Sequence, residues 1–261
     1  MPRFAANLSM MFNELPFLDR FAAARAAGFE AVEFLFPYDF PARDIAARLK
    51  DNGLTQVLFN SPPGDWENGE RGLACIPGRG QEFRDGIMKA LDYAAALECP
   101  RLHVMAGMMP AGVAQGTLTC LYAINLAWAA EKAIAQGVTC VIEPINQRDM
   151  PGYALTGTAN AVAVIEAVGP ERLGLQFDLY HTQITEGDLV PRARALLPHI
   201  AHMQVADTPG RHEPGTGEVN WPFVFGQLDA MGYRGWIGCE YRPATDTLAG
   251  LGWYAPYKVG A

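Results

Sequence analysis

Short apolar runs alternate with longer Ala-rich segments along the whole chain, and this rhythm constrains the fold more than any other feature. Runs that read as strands cover 3–10, 30–36, 54–60, 101–107, 138–143, 172–178, 199–206 and 235–241. Segments with helical periodicity cover 15–28, 41–53, 81–98, 116–137, 158–168, 188–197, 221–231 and 247–257. Gly28, Gly53 and Gly137 close three of these helices as C-caps. Strict strand–helix alternation implies helical crossovers, and crossovers imply parallel strands. In a chain of 261 residues this repeat points to a (β/α)8 TIM barrel of the α/β class, one domain over 1–261.

Barrel enzymes keep their chemistry where strands run into loops. The stretch "VTCVIEPINQ" (138–147) is a buried strand ending in Glu143, and an unpaired carboxylate there is costly. The next strands end in Asp178, Gln204 and Glu240, each one βα repeat further on. Taken singly, each is as readily a strand-end residue paired with an arginine. Four in succession point to one shared site at the barrel rim. Carboxylates that converge repel each other and take up protons, and a divalent cation removes that conflict. Hard oxygen donors without Cys or His favour Mg²⁺ or Mn²⁺ over zinc. Glu143, Asp178, Gln204 and Glu240 are therefore the expected metal ligands. Glu143 and Glu240 also suit proton transfer between adjacent carbons, with the ion stabilising an enediolate.

Loops supply the substrate-binding candidates. In "GDWENGERGLACIPGR" (64–79), Trp66 is placed to cover a substrate, and Arg71 or Arg79 to pair its carboxylate. The plainer alternative is a packed loop with surface arginines. "DTPGRHEPGTGE" (207–218) adds Arg211 and His212 and lacks the strand–GxGxxG–helix context of a phosphate loop, so no organic cofactor is expected. His181, three residues past Asp178, projects over the same rim as a substrate contact. Asn7, at the end of the first strand, is a further contact or a supporting residue. Glu33 and His103 read as barrel-interior residues, and His199 and His202 receive no role. Phe34, Phe36, Tyr38 and Phe40 read as packing.

A net charge of −8 argues against nucleic acid and anionic membrane as partners, and means that an anionic substrate needs locally placed arginines. Five cysteines without CxxC spacing read as reduced thiols, and the N-terminal residues lack a signal peptide, so a cytoplasmic location is expected. Oligomeric state is left open, a homo-oligomer included.

The segments "FAANLSMMF", "AVEFLFPYDF", "GDWENGERGLACIPGR", "IEPIN", "QFDLYH", "HEPGTGEVN" and "GWIGCEY" resemble hydroxypyruvate isomerase, of the xylose-isomerase-like barrels, nearly end to end. The resemblance implies interconversion of hydroxypyruvate and 2-hydroxy-3-oxopropanoate, with Glu143 and Glu240 as the acid/base pair and a small anionic hydroxy-oxo acid as substrate. Related ketose epimerases carry a metal on Glu, Asp, His and Glu, and Gln204 departs from that pattern. The sibling 2-oxo-tetronate isomerase family resembles "MPRFAANLSMMF" and "HVMAG". A ketose 3-epimerase, a metal-dependent nuclease or lyase, and a non-catalytic sugar-acid binder are the competing readings.

Overall fold

The strands are β1 (Arg3–Asn7), β2 (Ala31–Glu33), β3 (Thr55–Asn60), β4 (Arg101–His103), β5 (Thr139–Ile142), β6 (Leu173–Asp178), β7 (Ile200–Val205) and β8 (Trp236–Cys239). In this computed structural model, which describes residues 1–258, they pair in parallel and in chain order, and β8 closes onto β1. The helices are α1 (Arg20–Ala26), α2 (Ala42–Asn52), α3 (Gly80–Ala96), α4 (Gln115–Ile134), α5 (Thr158–Val168), α6 (Leu179–Thr185), α7 (Leu189–Leu196) and α8 (Trp221–Ala230). Among the described residues no helix is long and apolar enough to cross a membrane.

Several strands stop short of their apolar runs. β4 ends at His103, yet Val104, Met105 and Ala106 stay buried. Val104 still donates its N–H to the Val141 carbonyl of β5, and beyond it loop contacts take over: the Cys75 N–H donates to the Ala106 carbonyl, and the Tyr153 hydroxyl accepts from the Ala106 N–H. Hydrophobicity reports burial there, not ladder pairing. The last segment is a 3-10 helix, Ala249–Tyr257, because Gly250, Gly252 and Pro256 disfavour α-helix. An unanticipated short helix, α6, starts directly after β6, with Asp178 as N-cap accepting from the Tyr180 N–H at 2.7 Å.

Strand alternation sorts the barrel interior into layers. Ala5, Ala31, Val57 and Val141 form a small apolar plug. A polar layer centred on Glu33 lies beyond it. The fully buried Glu33 carboxylate accepts from Asn7 Nδ2 (2.9 Å), Gln204 Nε2 (2.8 Å) and His202 Nε2 (2.7 Å). Three donors offset the cost of burying that charge. Gly238 on β8 makes room for it, since a Cβ at this position would collide with the Glu33 carboxylate. Two residues further along β5 and β8, the same alternation brings Glu143 and Glu240 to the C-terminal mouth.

Candidate active site

Glu143, Asp178, His181 and Glu240 each offer a ligand atom within 4.8 Å of the others, and all four are buried. Arg211 is the cation among them. Its Nη2 donates to Glu240 Oε2 at 2.7 Å and lies 4.0 Å from Asp178 Oδ2, while Nη1 is 3.5 Å from Asp149. One guanidinium thus faces two buried carboxylates and the more exposed Asp149. Burial pushes the Glu143 carboxyl well above its ordinary range, and Glu240 and Asp178 add to the rise. Burial likewise raises Glu240 to about 8 and Asp178 to about 6, although Arg211 opposes both shifts. Burial works to lower the Arg211 guanidinium, but its carboxylate neighbours outweigh that and raise it. Glu143 Oε1 and Asp178 Oδ2 are buried without a hydrogen-bond partner. Orphaned carboxylate oxygens facing one another are the donor set a divalent cation takes, so the residues present fit a bound metal.

Glu143, His181, Arg211 and Glu240 line a cavity of about 500 Å³ together with Met10, Leu35, Trp66 and Tyr180. The Arg211 loop is prebuilt. Asp207 accepts from the N–H groups of Thr208, Gly215 and Gly217 at 2.9, 2.8 and 3.0 Å. Arg211 itself sits at φ 56°, a strained backbone for a residue with a Cβ, pinned by bonds to the Asp207 carbonyl and the Arg242 N–H.

The structure brings Trp66, Arg71, Glu143, His181, Arg211 and Glu240 to this cavity. Gln204 is a correction. Its Nε2 donates to Glu33 and its Oε1 accepts from Gln176 Nε2 at 2.6 Å, which turns it into the layer beneath the mouth. Pulling it up would strip the buried Glu33 of a donor. Of the two roles expected of Asn7, the structure gives it the supporting one and not that of a substrate contact: it serves Glu33, and its Oδ1 accepts from the Ser9 N–H. Arg79 is consumed by Glu70 and Glu82 at 2.6 Å each, and His212 bonds the Arg242 carbonyl. His103 is buried as expected but also lines the cavity, 3.8 Å from Glu143. Burial, then His202, depresses its pKa to about 3, so it stays neutral. Sequence reasoning missed Asn146, Asp149 and Tyr180. The polar "INQRD" run just past Glu143 was the available signal for the first two.

The xylose isomerase-like TIM barrel family matches residues 21–257. A 2-oxo-tetronate isomerase from Cupriavidus necator is 56% identical, over 98% of this chain and 99% of its own. The hydroxypyruvate isomerase of Escherichia coli is 45% identical, over 99% of this chain and all of its own. A crystal structure described as an AP endonuclease, family 2, from Brucella melitensis superposes with a TM-score of 0.97 at 51% identity, covering 99% of this chain and 100% of that one. The chain belongs to the hydroxypyruvate isomerase and 2-oxo-tetronate isomerase family of xylose isomerase-like TIM barrels and is an isomerase of that family.

Proposed function

We propose that the protein interconverts 2-oxo- and 3-oxo-tetronate, with hydroxypyruvate as a poorer substrate. The observation that carries the reaction type is the pair of buried carboxylates, Glu143 and Glu240, delivered by β5 and β8 to one cavity. One carboxylate takes the proton from C3, and the C3–H electron pair becomes a C2=C3 double bond. The other, protonated, delivers a proton to C2, while the C3 hydroxyl proton passes to the oxygen on C2. Mg²⁺ or Mn²⁺ held by Glu143, Asp178 and Glu240 would supply electrostatic stabilisation of charge developing on the substrate oxygens. Arg211 holds Glu240 in place and offsets part of the charge of the cluster.

The same proton shift in hydroxypyruvate lacks only a hydroxymethyl group at C3. A cavity of about 500 Å³ leaves room for it, and the named relative at 56% identity supports the longer acid. A nuclease reading has the net charge of −8 against it, since nucleic-acid affinity is dominated by phosphate neutralisation. Turnover on 2-oxo-tetronate, hydroxypyruvate and free ketoses is the test. We expect kcat/KM for the tetronate to exceed that for hydroxypyruvate by about tenfold or more, the scale on which one extra carbon is discriminated. A preference for hydroxypyruvate would transfer the assignment to the shorter acid, and a preference for ketoses would make the enzyme an epimerase.

Arg71 is the proposed partner of the substrate carboxylate. Arg211 already serves Glu240, Asp178 and Asp149, whereas Arg71 has no acidic partner among the described residues. Its Nη1 is fixed by the Trp66 and Glu70 carbonyls (2.8 and 2.7 Å), and its guanidinium stacks 3.8 Å over the Trp66 ring. Gly72 (φ +110°) lets the backbone pass against Met105 at this point. A guanidinium held flat by packing presents its remaining donors at little entropic cost. Arg71→Met is expected to raise KM for the acid about 10–100-fold, as loss of charged hydrogen bonds does, with kcat less affected. An unchanged KM would move the carboxylate elsewhere in the cavity.

A further inference from the structure

Asn146 lies fully buried three residues past Glu143. Its Oδ1 accepts from the Asp149 N–H at 2.8 Å. Turning the amide over would set its NH₂ against that N–H, donor to donor, so its orientation is fixed. Nδ2 then meets His181 Nδ1 at 2.6 Å. Nδ1 must be the acceptor in this contact. An imidazole with a bare Nδ1 is neutral and carries its proton on Nε2. Nε2 lies 3.6 Å from Asp178 Oδ2 and 3.8 Å from Glu143 Oε1, both lacking other partners. Arg211 Nη2, whose other hydrogen goes to Glu240 at 2.7 Å, approaches Nε2 at 3.4 Å; one ring nitrogen must carry the proton, and the 2.6 Å amide contact at Nδ1 is much the shorter of the two.

We propose that Asn146 is a positioning residue that locks His181 in the Nε2–H tautomer, so that the ring donates a hydrogen bond into the cavity and does not ligate a cation. His181 lies within the acidic cluster, yet its Nε2 lone pair is occupied by a proton. Any divalent ion is then held by carboxylates alone. The N–H is directed to where a substrate oxygen gains charge as the C–H proton leaves, a donor preorganised for the transition state. This catalytic consequence rests on the isomerase reading; the tautomer does not.

Long-range ¹⁵N–¹H NMR of labelled full-length protein separates the two tautomers, with the His181 signals identified by their loss in His181→Gln. The expected spectrum shows Nε2 protonated and Nδ1 bare, unchanged on saturation with Mg²⁺. Asn146→Asp, which replaces the amide donor with a carboxylate acceptor, moves the proton to Nδ1. In that variant kcat should fall about 10–100-fold, the usual cost of losing a partner that orients a site imidazole, with KM little changed. A proton on Nδ1 in the unaltered protein, or loss of the Nε2 proton on adding Mg²⁺, overturns the proposal. So does an Nε2–H that survives in Asn146→Asp. If that variant does not fold, the two spectra of the unaltered protein decide alone. The tautomer seen in a protein inactive on the oxo acids would leave the lock standing and sink the isomerase reading.

Discussion

Glu143→Gln and Glu240→Gln are each expected to lower turnover about 10²–10⁴-fold with KM little changed, the range general acid–base catalysis contributes. Gln keeps the size of the side chain and one oxygen for a cation while removing the proton-transfer group. The two variants should differ in stability. Glu143 is one of three carboxylates crowded into one buried cluster, and its Oε1 has no partner. Neutralising it relieves repulsion and burial cost in the metal-free protein, so Glu143→Gln should raise Tm while abolishing activity. Glu240 instead carries the 2.7 Å contact from Arg211. In Glu240→Gln the amide oxygen can still accept from Arg211 but without the carboxylate's charge, which offsets part of the relief, so its Tm should rise less. Solvent-deuterium exchange into the substrate carbons reads the proton path directly and should slow with turnover. Near-normal exchange in either variant would reduce that glutamate to a ligand, leaving the base to be sought elsewhere in the cavity.

The barrel was legible because its signal is repetitive: a buried parallel strand followed by an amphipathic helix, eight times. Its irregularities were not. The apolar run at 101–107 looks uniform, but ladder bonds end at Val104, and loops bury the residues beyond it. The carboxylates of the site were legible for a different reason, as charges at the ends of apolar strands with nothing local to pair them. Gln204 shows where that reasoning stops. Strand position put it on the inner face, which is correct, but Asp178 stands level with it in register and still joins the cluster. What parts them is the bonding of each side chain: Gln204 is held by Glu33 and Gln176, while Asp178 caps the helix that follows β6. Asn146 and Asp149 stand in a polar run that marks them as candidates, but their roles depend on the turn that folds them back over His181 and Arg211. Arg71 and Arg79 stand in one loop, and the fold of that loop, which brings Glu70 and Glu82 onto Arg79, tells the spent arginine from the available one.

Mn²⁺ or Mg²⁺ is expected to raise Tm far more at pH 8 than at pH 5.5. In the metal-free fold, Asp178 stands at about 6 against an ordinary 3.8, and Glu240 at about 8 against 4.5. Both folded values lie above the unfolded ones, so the fold favours the protonated forms. Their contribution is full below the ordinary values and is lost as pH rises through the folded values. The metal-free protein should therefore lose stability from this site between about pH 4 and 8. A cation needs the carboxylates ionised and must displace their protons. Each proton displaced costs about 1.4 kcal/mol per pH unit below the folded pKa, so the apparent Kd should tighten up to about tenfold per unit per proton as pH rises. By pH 8 Asp178 is already ionised and little of that cost remains. Thermal melts with and without the ion across this range read the difference, and calorimetry in buffers of different ionisation enthalpy counts the protons released. A metal-induced shift in Tm that does not grow with pH would mean that the ion binds away from Asp178 and Glu240. Asp178→Asn separates the cases further: it should flatten the pH dependence and weaken the ion while leaving the Glu33 network intact.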